Sequence, residues 1–526
     1  MAQVISIDPL TRIEGHMRID VEVENGVVKD AWSSGTMFRG YEMLIQGKHP
    51  WDAQQVMERI CGVCPLVHGT AASYNLDSAM GVTLPNNARL IRNLCLGANF
   101  IQSHILHFYH LQALDYIDVT AVTKYNGTDP ALKMLRDKII GLAVAKDLYP
   151  FLPRYESPDY IGEPGGPGDP NLATELVGHY VQAFEMRKKA QEMLTIFYGR
   201  MPSFVGTIPG GVTTPPTLTN IAAFRARLHD LQTWINDVYV ADVKLVATTP
   251  AYAPFIKAGD SGGNFLAYGG MDLNQKGTDK YFPSGVITNY GVLSPSKFDS
   301  NVIAESVKYS WYNDSTEDLK PAVGKTVPEV GKSGAYSFVK APRYGGKPME
   351  VGPLARQLVK KDPIFMALAT QLGVLTPPVK FGIIPRTGAR AVEALLVSLE
   401  MDKWLDELTL GIGQPIWDPK GRDIPNSANG MGLVEGPRGS LGHWITISGG
   451  KTGNYQAVVP TTWNASPRDK TGVRGPIETA LIGIPVPDVN NPINVARCVR
   501  SFDPCLACAI HIIHPENNSV KEFRVV

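Results

Sequence analysis

The sequence has little of several features that would point to common functions. Only six of its 526 residues are cysteine, far too few for a small secreted domain held by disulfides. Lys plus Arg and Asp plus Glu both number 50, so no net charge favours nucleic acid or a membrane surface. No apolar run reaches the ~18–20 residues of a spanning helix, and the N-terminus lacks the basic and apolar regions of a signal peptide. We therefore expect no nucleic-acid partner and no transmembrane segment of the chain's own.

Two local patterns could be mistaken for binding sites. Gly450-Lys451-Thr452 resembles the end of a phosphate-binding loop, but Ile445 stands where that motif needs its first glycine. His104, His107 and His110 recur every three residues. A buried metal site usually recruits carboxylate or thiolate ligands as well. We expect these histidines to be packed or hydrogen-bonded on one helix face.

Hydrophobic periodicity predicts a mainly helical chain with β additions, an α+β fold. Apolar residues recur at helical spacing in four long stretches, at about 85–118, 172–199, 220–246 and 389–410. Four long, substantially apolar helices are expected to pack as a central bundle.

The predicted strands are short and lie outside this bundle, as peripheral hairpins and small sheets. Residues 17–23 alternate apolar and polar, and Asn25-Gly26 then favours a hairpin that returns through 27–32. Further strands are predicted at 443–447 and 455–459. Residues 250–353, rich in Gly, Tyr, Ser and Pro, predict an irregular, partly β region without a long helix.

Four of the six cysteines form two C-x-x-C pairs near opposite ends of the chain. Cys61 and Cys64 lie in RICGVCPLVH, Cys505 and Cys508 lie in DPCLACAIH, and a histidine follows each pair. Local zinc ribbons keep their pairs about 15–20 residues apart. A site shared by these distant pairs would join both ends of one large fold, so we expect a single domain over residues 1–526.

Several chemistries are open to such a set of thiolates. A redox dithiol needs only one pair, in a βαβ setting that neither pair has. Four thiolates could hold a structural zinc ion or a redox-active metal such as nickel or iron. Only Cys95 and Cys498 remain, too few for an iron–sulfur cluster of the usual four-cysteine kind. A redox-active site would therefore need a partner subunit to carry its electrons away.

Both cysteine motifs, R-x-C-G-x-C-x-x-x-H and D-P-C-x-x-C-x-x-H, resemble those of the large subunit of nickel–iron hydrogenases. Five further segments extend the resemblance along nearly the whole chain: TRIEGH (11–16), FRGYE (38–42), HFYHLQALD (107–115), GPRGSLGHW (436–444) and YQAVVPTTWN (455–464). The resemblance implies the hydrogenase large-subunit fold. It also implies an enzyme, the catalytic subunit of a hydrogenase, which reversibly and heterolytically cleaves H2 to protons and electrons.

The resemblance implies metal ligands at matching positions. Cys61, Cys64, Cys505 and Cys508 would bind nickel, with Cys64 and Cys508 also bridging to an iron that carries carbon monoxide and cyanide. Magnesium would be held by Glu42, the backbone carbonyl of Ala457 and His511, with water completing the octahedron. Without the resemblance, Glu42 would read as a carboxylate at a helix start.

The resemblance also implies roles around the metals. Glu14 would carry protons beside Cys508, and Arg438 would lie over the open coordination site, flanked by Pro437 and paired with Asp503. Thr461 would donate to a cyanide ligand, and His68 would hydrogen-bond the first cysteine pair. Taken alone, Glu14 could be an exposed carboxylate and Arg438 part of a surface salt bridge. One departure stands out: many relatives carry aspartate where this chain has Ser103, so a carboxylate near Arg438 is missing.

Partners and processing follow from the same resemblance. An iron–sulfur small subunit would complete a heterodimer, and metal-insertion chaperones would load the site. A maturation protease would cut between His511 and Ile512, so residues 512–526 would be a C-terminal propeptide. The enzyme would be periplasmic or membrane-associated through its partner, or alternatively cytoplasmic. Metal-free relatives, which act as scaffold or quinone-site subunits, have lost the cysteines that this chain retains.

Overall fold

The structure of the protein is a computed structural model that describes residues 2–148, 151, 155–292 and 294–509, without the side chains of Cys508 and Ala509. Within these residues the α-helices are α1 Tyr41–Leu44, α2 Asp52–Glu58, α3 Pro65–Met80, α4 Asn86–Ile105, α5 Pro130–Val144, α6 Pro170–Tyr198, α7 Leu218–Trp234, α8 Val240–Thr248, α9 Pro353–Lys360, α10 Pro363–Gln371, α11 Ile383–Leu410, α12 Pro460–Asn464, α13 Pro476–Leu481, α14 Ile493–Ser501 and α15 Leu506–Ala509.

The strands among the same residues are β1 Gln3–Ile7, β2 Met17–Glu24, β3 Val27–Gly35, β4 Thr207–Ile208, β5 Gly211–Val212, β6 Phe265–Ala267, β7 Gly270–Asp272, β8 Lys280–Phe282, β9 Gly285–Ile287, β10 Ile303–Ser306, β11 Ala341–Tyr344, β12 Ser427–Gly436, β13 Gly439–Ser448 and β14 Lys451–Val458. Helix makes up 45% and strand 18% of the structure. The predicted mainly helical α+β class is therefore confirmed.

The predicted long helices form the centre of the molecule. Helix α4 packs against α6 and α11, and α6 packs against α7. The close approach of α4 to α11 depends on Gly97, because a Cβ there would lie 2.5 Å from the sulfur of Met401. After α4 the chain continues as a π-helical segment, Leu106–Gln112. Hydrophobic periodicity alone did not distinguish this wider turn from α-helix.

The described residues also form two antiparallel three-stranded sheets. In the first, β2 pairs with β1 and β3, and the predicted hairpin turns through Asn25 and Gly26, both with positive φ, as a two-residue turn favours. In the second, β13 pairs with β12 and β14. The predicted strand 443–447 lies within β13, and most of the predicted strand 455–459 lies within β14. Strands β1 and β12 were not predicted.

The remaining expectations for the fold concern residues 250–353 and membrane spans. The described part of 250–353 contains short strands and 3-10 turns and no long helix before α9, as predicted. None of the described helices is both long and apolar enough to span a bilayer. One buried hydrophobic cluster includes both Ile7 and Leu506, so residues near the two ends of the sequence share a core.

Candidate metal centre

Glu14 and Gly15, in the TRIEGH segment, form the surface against which the second cysteine pair packs. We call this surface the seat. Glu14 and Cys505 make a parallel β-bridge, in which the Glu14 N–H donates to the Pro504 carbonyl at 3.2 Å and the Leu506 N–H donates to the Glu14 carbonyl at 2.7 Å. Gly15 has φ +80°, and a Cβ there would lie 2.5 Å from the Ala507 nitrogen. The glycine is therefore required both by its backbone conformation and by the close approach of the C-terminal segment.

Three of the four paired cysteines converge on one point. The Cys505 sulfur lies 3.3 Å from that of Cys61 and 3.9 Å from that of Cys64, and the three thiols are 1%, 7% and 1% exposed for Cys61, Cys64 and Cys505. Among the described residues this is the one group of three or more His, Cys, Asp or Glu side chains whose ligand atoms all lie within 4.8 Å of one another. The side chain of Cys508, the fourth predicted ligand, lies outside the description. The convergence of both pairs is thus observed for three members.

The loop that carries Cys61 and Cys64 connects α2 to α3. The backbone N–H groups of Val63 and Cys64 each donate to the Cys61 sulfur at 3.3 Å, an arrangement that favours the thiolate. Arg39 donates to the carbonyls of the two residues that precede Cys61, Ile60 at 2.6 Å and Arg59 at 3.1 Å. The FRGYE segment therefore fixes the approach to the first pair, a role that sequence reasoning did not assign to Arg39.

Glu14 lies beside Cys505 rather than free in solvent. Its Oε2 accepts from the Cys505 thiol at 3.1 Å and from the Ala507 N–H at 3.0 Å. Burial, and then the nearby charge of Cys61, raise its pKa from 4.5 to about 7, although the Cys505 hydrogen bond and Arg438 oppose this shift. The predicted neighbour was Cys508, whereas the contact in the structure is with Cys505. A half-buried carboxyl group with such a pKa can both accept and release a proton near neutral pH.

Arg438 lies at the tip of a two-residue hairpin turn. Gly436, the last residue of β12, pairs with Gly439, the first residue of β13, so Pro437 and Arg438 form the turn. The Arg438 Nε donates to the Asp503 carbonyl at 3.1 Å, and Nη2 lies 3.0 Å from Asp503 Oδ1. Both residues are buried, at 4% and 1% exposure, which rules out a surface salt bridge.

The charges of this pair support each other. Burial opposes ionisation of Asp503, but the Arg438 guanidinium holds its pKa below the usual range. The 3.0 Å contact has ion-pair distance without hydrogen-bond geometry, so Nη1 and Nη2 of Arg438 have no acceptor among the described residues. Buried donors without acceptors are rare in proteins. Two such donors on one guanidinium indicate that a ligand or water belongs beside it.

A small cavity of about 20 Å3 brings most of the remaining predicted residues together. Its lining is Cys64, Val67, His68, Gly436, Pro437, Arg438, Leu441, Pro460, Thr461 and Cys505. A space of this size admits about one water-sized molecule. The cavity is therefore suited to very small ligands and not to an organic substrate.

Thr461 and His68 each make a defined contact at this cavity. The Thr461 Oγ1 accepts from the Cys505 N–H at 2.9 Å, which leaves the hydroxyl proton available to another acceptor. His68 Nδ1 lies 3.3 Å from His443 Nε2, and His443 Nδ1 lies 2.7 Å from the Tyr455 hydroxyl. The predicted hydrogen bond from His68 to the first cysteine pair stays a prediction. His443 and Tyr455 lie in two of the segments that carry the family resemblance, but the resemblance implied no role for either residue.

The predicted magnesium ligands are close together where they are described. Glu42, 3% exposed, accepts from the Ala457 N–H at 2.8 Å and from the Thr326 hydroxyl. His511 lies outside the described residues. The magnesium site stays a prediction, as does the cleavage between His511 and Ile512.

The three histidines of the long helical segment are hydrogen-bonded, as expected. His104 pairs with Glu393 at 2.9 Å, His107 with the Arg500 carbonyl at 2.7 Å, and His110 with the Tyr180 carbonyl at 3.3 Å. Ser103 lies one helical turn before His107, on the same face. Within the described residues the Ser103 hydroxyl has no hydrogen-bond partner.

These features together fit a soft-metal centre. Three buried thiols lie close enough to share one ion, and thiolates select metals such as nickel, iron or zinc. The orphaned donors of Arg438 and the cavity beside Cys64 and Cys505 add room for small ligands. The half-buried carboxyl group of Glu14 adds a proton acceptor.

Comparison with known proteins decides the family. A family model described as nickel-dependent hydrogenase matches residues 39–511, and a model described as HoxL-like matches residues 4–34. The chain belongs to the nickel-dependent hydrogenase family. The predicted family and enzyme class are thereby confirmed.

Relatives match this hydrogenase chain over nearly its whole length. The periplasmic NiFeSe hydrogenase large subunit of Desulfomicrobium baculatum is 40% identical over 97% of this chain and 95% of its own. The hydrogenase-2 large chain of Escherichia coli K12 is 33% identical over 100% of both. A solved structure of H2-activated NiFeSe hydrogenase from Dm. baculatum matches with a TM-score of 0.86 and 39% identity, over 97% of this chain and 100% of that one. The predicted large-subunit fold is confirmed.

Proposed function

We propose that this protein is the catalytic large subunit of a nickel–iron hydrogenase, which reversibly cleaves H2 into protons and electrons and passes the electrons to an iron–sulfur small subunit. One observation carries the proposal. The Cys61, Cys64 and Cys505 thiols converge in the core of a nickel-dependent hydrogenase chain, with the Glu14 carboxyl group 3.1 Å from the Cys505 sulfur.

The proposed metal set is nickel held by the four paired cysteines and an iron, carrying carbon monoxide and cyanide, shared through Cys64 and Cys508. When bound, this metal pair would act as a Lewis acid that polarises H2 for heterolytic cleavage. The donor set supports soft metals because its described members are all thiols. The proposed magnesium ligands are Glu42, the Ala457 carbonyl and His511.

The residues of the chain would handle the proton and the small ligands. Glu14, whose Oε2 lies 3.1 Å from the Cys505 sulfur, would accept the proton that heterolytic cleavage of H2 produces and pass it on. Arg438 lines the cavity, its Nη1 and Nη2 make no hydrogen bond within the described residues, and Asp503 compensates its charge. The Thr461 Oγ1 already accepts from the Cys505 N–H, and its hydroxyl would donate to a cyanide ligand of the iron. Burial of all three thiols excludes bulk water.

A structural zinc site is the competing assignment, since thiolates alone would suit it. A zinc staple gives no reason for a carboxyl group with a pKa of about 7 beside one thiol. It also gives no reason for the buried Arg438 guanidinium, whose Nη1 and Nη2 make no hydrogen bond within the described residues.

Metal analysis combined with infrared spectroscopy separates these assignments. We expect nickel and iron in the purified enzyme, together with infrared bands of metal-bound carbon monoxide and cyanide. Cys505→Ser should lose the nickel, whereas Cys95→Ser is the matched control because Cys95 is a fully buried cysteine on α4, outside the thiol cluster. Zinc in place of nickel, without these bands, would refute the proposed function.

The electrons must leave through a partner. Cys95 and Cys498, the other two cysteines, are both buried and lie on different helices. The relatives' names, large subunit and large chain, support a smaller partner subunit. We propose that this subunit carries the iron–sulfur clusters and that metal-insertion chaperones act earlier. The relative named periplasmic supports a periplasmic or partner-anchored location, with the cytoplasm as the alternative. An affinity-tagged chain should copurify with a protein containing iron and acid-labile sulfide, and a preparation of the active enzyme without one would contradict this assignment.

The catalytic domain would end at His511 in the mature enzyme, with residues 512–526 removed by a maturation protease. The seat formed by Glu14 and Gly15 supports this proposal because it holds the chain at residues 504–507 inside the protein. The intact mass of nickel-loaded, active enzyme should correspond to a chain that ends at His511. A mass that retains Ile512 to Val526 would contradict the cleavage.

A further inference from the structure

Arg356, on α9, is an arginine that the function described so far does not use. It is 0% exposed, and all five of its N–H donors have acceptors. Nε and Nη2 bind the two oxygens of Glu393 at 2.9 and 2.6 Å, and Nη1 binds Glu435 Oε2 at 2.7 Å. The remaining two donors reach the Gly436 carbonyl at 2.7 Å and the Pro437 carbonyl at 3.0 Å.

Those two carbonyls belong to the turn that presents Arg438. Gly436 is the last residue of β12, and Pro437 directly precedes Arg438. Glu435, the other partner of Arg356, also accepts from the Ser440 hydroxyl at 2.6 Å. A single buried guanidinium and its carboxylate partner therefore hold both sides of a two-residue turn.

The turn is also confined by backbone packing. A Cβ on Gly439 would lie 2.7 Å from the Gly352 nitrogen, just before α9, and a Cβ on Gly436 would lie 2.8 Å from Val67 on α3. The same end of α3 follows Cys64. The turn is thus fixed between the helix that bears Arg356 and the helix that begins at the first cysteine pair.

The position of the Arg438 side chain depends on this backbone. Its Nη1 and Nη2 have no hydrogen-bond acceptor among the described residues, so side-chain contacts fix it only through Asp503. We infer that Arg356 is the positioning residue for Arg438, and that it sets the guanidinium over the metal centre by holding the Gly436 and Pro437 carbonyls. This inference rests on the role of Arg438 proposed above.

Three lysine substitutions in the holoenzyme test the inference. Arg356→Lys keeps a charge between Glu393 and Glu435, but an ammonium has three donors and cannot reproduce the planar fork. Arg343→Lys is the matched control, because Arg343 is also buried, at 4% exposure, and also donates five hydrogen bonds. None of its acceptors belongs to the Arg438 turn: they are the side chains of Asp469 and Ser466 and the carbonyls of Pro342, Pro467 and Val473. Arg438→Lys reports the loss of the group that is being positioned.

The expected result separates positioning from stability. Arg356→Lys and Arg343→Lys should lower the thermal midpoint similarly and keep the nickel and iron content. Only Arg356→Lys should also lower H2/D+ exchange turnover, by about 10- to 100-fold, since misplacement by 1 Å can cost about 10²-fold. It should shift the carbon monoxide and cyanide infrared bands in the same direction as Arg438→Lys.

Other results overturn the inference in distinguishable ways. If Arg356→Lys matches Arg343→Lys in exchange and in infrared bands while Arg438→Lys is impaired, Arg356 is only structural. If Arg438→Lys has wild-type exchange, the role of Arg438 itself is wrong. Should Arg356→Lys fail to fold, the charge-balanced variant Arg356→Gln/Glu435→Gln is measured instead. It must show the same infrared shift and turnover loss, and wild-type bands in that variant would overturn the inference.

Discussion

Replacing Glu14 by glutamine probes the proposed proton transfer with little disturbance of the structure. In the wild type, Oε2 accepts from both the Cys505 thiol and the Ala507 N–H, and the glutamine oxygen can accept from the same two donors. The β-bridge between Glu14 and Cys505 uses only backbone atoms, so it persists. Glu14→Gln therefore removes the titratable group and leaves the seat of the second cysteine pair in place.

The size of the effect follows from the chemistry of the carboxyl group. Burial raises the pKa of Glu14 to about 7, close to a neutral working pH, where a general acid or base is most effective and contributes about 10²–10⁴-fold. We expect H2/D+ exchange to fall by about 10²-fold or more, with nickel and iron content unchanged. Glu14→Asp, which keeps a carboxyl group but shortens its reach to the thiol, should recover part of the activity.

The assay is H2/D+ exchange by mass spectrometry on enzyme with verified metal content. Exchange needs proton movement at the site and does not depend on the electron acceptor. Wild-type exchange in fully metal-loaded Glu14→Gln would refute the relay. A loss of activity that merely follows a loss of nickel would show that Glu14 acts by holding Cys505.

Three further predictions concern other parts of the molecule. Gly15→Ala should reduce nickel content, because its Cβ would lie 2.5 Å from the Ala507 nitrogen. Gly47→Ala is the control, since Gly47 has a similar φ and no atom within 4 Å of its Cβ position. Equal nickel content in both variants would contradict the role of Gly15 in placing the second cysteine pair. Thr461→Val removes the acceptor of the Cys505 N–H and should shift the cyanide infrared bands, and unchanged bands would exclude the donor role. Burial raises the pKa of Glu478 from 4.5 to about 7, so the folded state holds this proton longer than the unfolded state does. The associated stabilisation is present below pH 4.5 and lost by pH 7, by roughly 3 kcal/mol. The urea midpoint of Glu478→Gln should accordingly fall less from pH 5 to pH 8 than that of the wild type, and parallel pH profiles would contradict the shift.

The elements with strong local signals could be predicted from the sequence. Hydrophobic periodicity predicts the long helices. The Asn25-Gly26 dipeptide predicts a tight hairpin because both residues readily adopt the positive φ that this turn requires, and both have it in the structure. Strand β12 contains Gly430 and Gly432, where a Cβ would collide with the carbonyls of Asn75 and Ala71. Glycine is uncommon in strands, so these residues weaken the local strand pattern. They are needed for close packing against α3, which the sequence pattern does not reveal.

The site divides in the same way. Cysteine spacing pointed to a joined centre, and the family resemblance selected Glu14, Arg438 and Thr461, all of which lie beside Cys505 or line its cavity. The residues that support the site, Arg39 and Arg356, could not be predicted, because both donate hydrogen bonds to backbone carbonyls. No spacing of residue types in the sequence encodes which carbonyl a guanidinium will reach.

The central claim is that cysteines from both ends of the chain bind one nickel ion. X-ray absorption at the nickel edge of the purified, active enzyme tests it most directly. We expect a shell of sulfur neighbours at about 2.3 Å, a typical metal–thiolate distance, and this nickel–sulfur signal should be lost in Cys61→Ser and in Cys505→Ser alike. A nickel shell of nitrogen and oxygen only, or a sulfur shell that changes with Cys61 and not with Cys505, would contradict the shared centre.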